Sequence, residues 1–274
     1  MKKLSAILLS LIMILCLFPA GYAAEEALPD MIEYGFVDCG DIKLEYGIYG
    51  KTDGEPLLLL PPNGGDMHCF DDSILPEMSK HFKVITVSPR GTGNSGWAEG
   101  TMNFETMSDD IVKLLDYLKI DKTKIFGFSD GGNLGIVFTL ANQERVESLV
   151  VMGSNINTFG TNTFDQIQIT YQYIVLCVEA WIKGDDETKI RRDIKGMMVG
   201  QPNLTFKDIS EIQVPVLNIY GEHDMIQRWH SKMITKSIEG AKELMIVGGG
   251  HSTCFEYTDT VINPALLDFY GISY

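Results

Sequence analysis

The segment Lys124-Ile-Phe-Gly-Phe-Ser-Asp-Gly-Gly-Asn133 decides how this 274-residue chain is interpreted. It begins with residues typical of a buried strand and runs into an apolar stretch of helical character, so Gly127-x-Ser129-x-Gly131 falls on the turn between them. Small residues are needed two before and two after the serine, because side chains there would collide with neighbouring backbone. The segment therefore predicts a nucleophilic serine on a sharp strand-to-helix turn.

A serine hydroxyl becomes a good nucleophile only when a base removes its proton, so this hypothesis requires a histidine and a carboxylate nearby. A strand-like run leads into Gly221-Glu-His-Asp224, and another leads into Gly248-Gly-Gly-His251. The carboxyl ends of parallel strands meet at one edge of a sheet. The sequence therefore predicts Asp224 as the acid and His251 as the base that act with Ser129.

Both assignments have alternatives. Asp224 could serve only as a helix cap, and Glu222 is a nearby carboxylate that would face the other way in an extended backbone. Of the five histidines, His251 follows a strand into a glycine loop. The other histidines are expected at surface or loop positions, beside the acid or at a helix start: His68, His81, His223 and His230.

Strand-like runs alternate with amphipathic helical segments along most of the chain, which predicts an α/β fold with a mostly parallel, eight-stranded sheet flanked by helices. The first two strands should form an antiparallel hairpin. From about 156 to 210 the alternation stops, and we expect a small helical cap over the carboxyl edge of the sheet. The strands are expected at 33–38, 41–49, 57–61, 83–88, 124–128, 147–152, 215–220 and 243–247, and the clearest helices at 107–118, 134–143, 230–239 and 260–270.

The serine turn, the Val-Pro-Val strand that ends in Gly-Glu-His-Asp and the Gly-Gly-Gly-His loop together resemble the α/β-hydrolase superfamily, in the order nucleophile, acid, histidine. The resemblance covers essentially the whole chain after its N-terminal segment. It implies a serine hydrolase of the esterase or proline iminopeptidase-like branch, most nearly a carboxylic-ester hydrolase. Such an enzyme acts on a small-molecule ester or amide through an acyl-enzyme, without a metal or an organic cofactor.

The oxyanion-binding loop departs from the family pattern. Family members commonly carry His-Gly here, whereas this chain has Pro61-Pro62-Asn63-Gly64-Gly65. Prolines have no N–H, so the Asn63 amide is the first donor after the strand, and it aligns with the family's donor position. The second expected donor is the Asp130 amide. A purely structural glycine turn is the alternative, and the departure leaves the loop's shape and the substrate scope open.

The same catalytic apparatus would also serve a proline iminopeptidase, a lactonase or a carbon-carbon bond hydrolase. A non-catalytic ligand-binding protein on the same fold is the alternative from another class. Aromatic residues in the cap could line an apolar substrate pocket or only pack within the cap: Phe159, Tyr171, Tyr173 and Trp181.

The formal net charge of −15 repels phosphate backbones, so no nucleic-acid partner is expected. Gly91-Thr-Gly-Asn-Ser-Gly96 has the spacing of a dinucleotide fingerprint, but Trp97-Ala-Glu-Gly100 follows in place of a helix that could bind phosphates. Pro89-Arg-Gly-x-Gly-x-Ser95 instead resembles a structural loop of the hydrolase family. The oligomeric state is not indicated by the sequence.

The four cysteines after the N-terminal segment are Cys39, Cys69, Cys177 and Cys254, and their spacing has no metal-binding pattern. Free thiols and disulfides are both open. A Cys69–Cys254 pair is one possibility, because both residues lie beside the proposed active-site loops.

The N-terminal segment has the layout of a signal peptide: Lys2 and Lys3, an apolar run over 4–18, and then small residues. We expect cleavage between Ala23 and Ala24, which leaves residues 24–274 as a secreted or cell-envelope hydrolase domain with no stable membrane span. An uncleaved anchor is the alternative, although the apolar run is short for a bilayer. Loss of the two lysines would change the formal net charge from −15 to −17.

The cleavage prediction is checked by intact-mass analysis of the exported protein. We expect a chain that begins at Ala24, because a peptidase cuts after small residues such as those at 21 and 23. An exported chain that still begins at Met1 would contradict the prediction.

Overall fold

The fold, described for residues 28–252 and 255–272 of a computed structural model, is built on one eight-stranded sheet. The central strands are buried along nearly their whole length, as expected where helices cover both faces of a parallel sheet. The strands are β1 Met31–Asp38, β2 Lys43–Gly50, β3 Pro56–Leu60, β4 Lys83–Ser88, β5 Thr123–Phe128, β6 Val146–Met152, β7 Val216–His223 and β8 Lys242–Gly250.

The strand order is β1-β2-β4-β3-β5-β6-β7-β8. β1 pairs with β2, and β2 with β4, in antiparallel fashion, whereas all other neighbours are parallel. The predicted fold class, the eight strands and the N-terminal hairpin are therefore confirmed. β7 and β8 extend further than predicted, to His223 and Gly250, and these two residues are register partners.

The helices are α1 Ile74–Met78, α2 Phe104–Tyr117, α3 Asp130–Ala141, α4 Thr163–Lys183, α5 Asp186–Gly200, α6 Phe206–Ile209, α7 Arg228–Ser237 and α8 Asn263–Phe269. Two groups of these helices cover opposite faces of the sheet. One hydrophobic core joins the sheet to α2, α3 and α7, and the other joins it to α1 and α8. The four predicted helices are present, and short α1 and α6 are additions to them.

The segment between β6 and β7 contains α4, α5 and α6, at the place where a cap was expected. Gly184 ends α4 in the left-handed region at φ +69°, and Asp185 caps α5 by accepting from the Thr188 amide, so α4 and α5 form a helical hairpin. The hairpin is tied to the body of the protein: Asn63 Nδ2 donates to Ile194 O, and Trp97 Nε1 donates to Asp193.

Over the described ranges, none of the helices combines the length and apolar character needed to cross a bilayer. The predicted signal peptide, residues 1–23, lies outside those ranges.

Cys39, Cys69 and Cys177 carry free thiols, and Cys254, the other member of the considered pair, also lies outside the described residues. Burial raises the pKa of Cys69 to about 11, which keeps this thiol protonated at neutral pH.

The glycine-rich loop after β4 braces the sheet internally. The Glu45 carboxylate on β2 accepts hydrogen bonds from the Asn94 amide and from Ser88 Oγ, and these bonds outweigh its burial to lower the Glu45 pKa to about 2. Gly93 has φ +53°, and a Cβ there would lie 2.4 Å from the Glu45 carboxylate. The segment is followed by α2 only at Phe104, so no helix N-terminus adjoins the loop.

Arg90 in the same loop forms a buried ion pair. Its Nε and Nη2 donate to the two carboxylate oxygens of Asp110 at 2.8 and 2.9 Å, and both side chains are 1% exposed. A second carboxylate, that of Asp41, accepts from Nη1 at 3.0 Å. The pair fixes the loop to α2, and removal of Arg90 would leave the buried carboxylate of Asp110 without a counter-charge.

We predict that Arg90→Met lowers the free energy of unfolding by about 3–5 kcal/mol, because Asp110 would lose its counter-charge in the core. Urea denaturation of the variant and the wild type measures the difference. Lys80→Met is the control, since it breaks an exposed pair with Glu77 and should cost below about 1 kcal/mol. Equal losses in the two variants would contradict this view of Arg90.

Candidate active site

Ser129 lies at the turn from β5 into α3, in a backbone conformation that non-glycine residues rarely adopt, with φ 55° and ψ −121°. Its amide donates to Met152 O at 2.8 Å, which holds the turn against β6. A Cβ at Gly127 would lie 2.3 Å from Gly131 O, and a Cβ at Gly131 would lie 2.0 Å from Leu60 O. Both positions therefore require glycine for the turn to close.

The three side chains predicted to act together lie within hydrogen-bond distance of one another. His251 Nε2 is 2.9 Å from Ser129 Oγ, and His251 Nδ1 is 2.7 Å from Asp224 Oδ1. A carboxylate only accepts, so Nδ1–H donates to Asp224 and Nε2 accepts the hydroxyl proton of Ser129. The geometry is that of a nucleophile, a base and a group that orients the base.

The positions of Asp224 and His251 follow from the sheet. Each residue comes directly after one member of the His223–Gly250 pair, so the two side chains leave adjacent strand ends. The Asp224 side chain is 2% exposed and also accepts from the Ile226 amide at 2.9 Å, while the His251 ring lies 5.1 Å from that of Phe128.

Glu222, the alternative acid, is directed elsewhere. Its carboxylate accepts from the Gly248 amide and pairs with Arg228, at 3.0 Å in each case. These contacts explain why its neighbour, two residues later, is the carboxylate that reaches His251.

His230 lies at a helix start, as expected, but its burial was not predicted. It is the third residue of α7 and fully buried, and its Nε2 accepts from the Ile156 amide at 3.1 Å. Burial lowers the pKa of His230 to about 4, so the ring is neutral at physiological pH. It packs against Gly160, where a Cβ would lie 2.5 Å from the ring. His230 thus anchors the start of the cap.

Asn63 and Asp130, whose backbone amides are the expected oxyanion donors, are joined by their side chains. Asn63 Nδ2 donates to Asp130 Oδ2 at 2.9 Å and to Ile194 O at 2.7 Å. The Asp130 amide is at the first position of α3, where an N–H has no acceptor within its own helix. The structure therefore places both residues at the nucleophile turn and leaves the Asp130 amide free of the helix ladder.

The carboxylate of Asp130 is a feature that the sequence reasoning missed. It is buried, and burial raises its pKa to about 6, although donation from Asn63 and Asn133 opposes the shift. Asn133 lies one turn later on α3, so a polar residue three positions after Asp130 was the available signal. A carboxylate next to the nucleophile adds negative charge to the site whenever it ionises.

A small cavity adjoins Ser129. It has about 10 Å³ of space, close to the volume needed for one water molecule, and is bounded by Asp130 and by Thr161, Ile169 and Met198 from the cap segment. Residues of the cap segment therefore border the space next to the Ser129 side chain.

The cap aromatic residues considered for a substrate pocket do not line this cavity. Phe159, Tyr171 and Trp181 are 81%, 68% and 84% exposed, because they lie on the side of the cap that faces away from the sheet. Tyr173 packs against α5, where a Cβ at Gly196 would lie 3.0 Å from its ring.

Across residues 28–252 and 255–272, no group of three or more His, Cys, Asp or Glu side chains is arranged to hold a metal ion.

The chain is similar in sequence to a known family and to several named proteins. Residues 55–173 match the family described as alpha/beta hydrolase fold. The chain is 24% identical over 240 residues to the human protein named Serine hydrolase BPHL, covering 80% of each chain. It is 23% identical over 255 residues to a Putative carbamate hydrolase RutD of Agrobacterium fabrum, covering 82% of this chain and 97% of that one.

The fold also matches solved structures. A hydrolase from Pseudomonas aeruginosa PA01 superposes with a TM-score of 0.74 at 20% identity, over 88% of this chain and 100% of that chain. The eight-stranded sheet, the strand-to-helix serine turn and these similarities agree with one another, and the chain has the α/β-hydrolase fold.

Proposed function

We propose that the protein is a serine hydrolase that cleaves small carboxylic esters through an acyl-enzyme, with Ser129 as nucleophile, His251 as base and Asp224 as acid. The observation that carries this proposal is the continuous chain of hydrogen bonds from Ser129 Oγ through the His251 ring to Asp224. Proteins named as a serine hydrolase and a carbamate hydrolase among its relatives support chemistry at a carbonyl carbon.

The proposed reaction begins when His251 Nε2 takes the proton of Ser129 as its oxygen attacks the substrate carbonyl. Asp224 fixes the ring and stabilises the imidazolium that forms. The backbone amides of Asn63 and Asp130 donate to the developing oxyanion. His251 then protonates the leaving alcohol, and the same ring activates a water that releases the acid and restores Ser129.

Substrate entry requires movement of the cap. The cavity of about 10 Å³ beside Ser129 has room for about one water, and Thr161, Ile169 and Met198 of the cap segment line it, which supports this motion. The side chains at the cavity are partly polar and partly apolar, Thr161 and Gln201 beside Ile169 and Met198, which favours a small substrate with one polar group.

Other activities that use the same three residues are alternatives to ester hydrolysis. A proline iminopeptidase, a lactonase or a carbon-carbon bond hydrolase would use the same three residues, and a panel of esters, lactones and prolyl amides separates them. A binding protein with an idle triad would turn over none of them.

We also propose export of the chain, on the signal-peptide pattern of its N-terminal segment.

We predict that Ser129→Ala lowers kcat/KM for short p-nitrophenyl esters by at least about 10⁴-fold and abolishes labelling by a fluorophosphonate probe, because no other group supplies the nucleophile. Ester turnover and gel fluorescence measure the two effects. Ser148→Ala, which alters a buried serine on β6, is the matched control and should keep both properties. Equal labelling of wild type and Ser129→Ala would rule out the assignment.

The oxyanion assignment is tested by two substitutions at one position. Asn63→Pro removes the backbone N–H and should lower kcat by about 10²–10³-fold. Asn63→Ala keeps that N–H, losing only the side-chain bonds to Asp130 and Ile194, and should lower kcat by about 10-fold. Steady-state kinetics on protein shown to be folded by circular dichroism gives the comparison. Equal effects would mean that the Asn63 amide is not a donor.

A further inference from the structure

The outward face of α4 carries a continuous apolar stripe. Its residues are spaced three and four apart through the whole 21-residue helix, which is the heptad spacing of a helix that pairs with another helix. All are large, and all are between 50% and 84% exposed. We call them the α4 seam: Phe164, Ile167, Tyr171, Ile174, Val178 and Trp181.

The seam is not used for packing within the protein. The opposite side of α4 faces inward, where Ile169, Leu176 and Ala180 are buried. α4 therefore has two apolar faces. A helix at the surface of a monomer needs only one, so the second face lacks a partner among the described residues.

The exposed area is larger than a monomer normally presents. With Val175 and Ile182, which flank the seam and are 37% and 69% exposed, the apolar surface is on the order of 1,000 Å². Monomeric proteins rarely expose contiguous apolar patches above a few hundred Å². A standard interface buries about 800 Å² on each partner, so this face alone is large enough for one.

The absence of charge beside the seam favours a second copy of this chain as the partner, because elsewhere the surface is strongly acidic. The formal net charge of −15 would make two copies repel each other over most of their surfaces. The positions that flank the seam carry no charge at all: Thr163, Gln168, Thr170, Val175, Cys177 and Ile182. Interfacial membrane helices carry Lys and Arg along their polar border, and this border has none.

We propose that two copies of the chain form a dimer through an antiparallel pairing of their α4 seams. In this arrangement Phe164 packs against Trp181 of the second copy, Ile167 against Val178, and Tyr171 against Ile174. All three pairings are satisfied by one two-fold axis at the middle of the helix, as a closed symmetric dimer requires. The antiparallel orientation also opposes the helix dipoles favourably.

A groove beside the seam gives the largest side chain of the second copy a place to bind. It has a volume of about 570 Å³ and lies between α4 and the preceding segment, lined by Phe159, Thr163 and Ile167 among others. Trp181 of the second copy reaches this end of the helix, and a large aromatic side chain in a pocket is typical of an interface hot spot.

The test is the molar mass of the exported protein, measured by light scattering and sedimentation over a range of concentrations. We expect the wild type to be a dimer, and Ile174→Asp to raise the dimer dissociation constant at least about 100-fold, since the new charge is buried against apolar groups. Gln172→Asp puts the same charge on the same helix, off the seam, and should remain dimeric. Circular dichroism confirms that the variants are folded.

A mixing experiment tests the orientation. Ile167→Glu and Val178→Lys should each weaken self-association, and an equimolar mixture should recover the dimer, because antiparallel pairing places these two positions opposite each other. Failure of the mixture to recover, with both variants folded, would overturn the antiparallel pairing.

Other occupants of the seam give distinct results. A wild type that stays monomeric at all concentrations overturns the proposal. If that monomer floats with phosphatidylcholine vesicles, the seam binds lipid. If the chain is monomeric only while residues 1–23 are retained, this segment covers the seam.

Discussion

The register of β7 on β8 is the constraint on which the rest of the site depends. His223 and Gly250 are partners at the ends of this parallel pair, and Asp224 and His251 follow directly after them. Side chains alternate between the faces of a strand, so a slip of one residue would turn the acid away from the imidazole. Gly221 lets β8 lie close to β7, since a Cβ at Gly221 would lie 2.5 Å from Gly249 O.

The α/β architecture and the grouping of Ser129, Asp224 and His251 could be predicted because they rest on local patterns. Strands buried on both faces have an unmistakable composition, and the serine turn requires small residues at fixed offsets. The short helices α1 and α6 could not be predicted, since five or four residues are too few to show periodicity. The burial of His230 and of the Asp130 carboxylate depends on residues far away in the sequence, such as Ile156 and Asn63. The sequence left open whether the cap aromatic residues line a pocket or pack within the cap, because composition does not reveal which side of a helix faces the protein. Phe159 and Tyr171 line a groove of about 570 Å³ beside α4.

Polar contacts connect the cap to the part of the site that would bind the oxyanion. Asn63 donates to both Asp130 and the carbonyl of Ile194, so one side chain links the nucleophile turn to α5. Gln201 links the cap to the start of α2, because its side chain accepts from the Phe104 amide and donates to Met102 O. Displacement of the cap would therefore move Asn63 through its bond to Ile194. Opening of the site is thus coupled to the position of the Asn63 amide, the proposed oxyanion donor.

The backbone at Ser129 has one more consequence. A non-glycine residue at φ 55° costs on the order of 1–3 kcal/mol, and the same turn built with glycine would avoid that cost. The protein is thus less stable than it would be with glycine at position 129. The strain falls on Ser129, whose hydroxyl has to point toward the His251 imidazole. A chain that used this scaffold only to hold a ligand would gain nothing from such a compromise. The retained strain therefore supports the proposed role of Ser129 as the nucleophile.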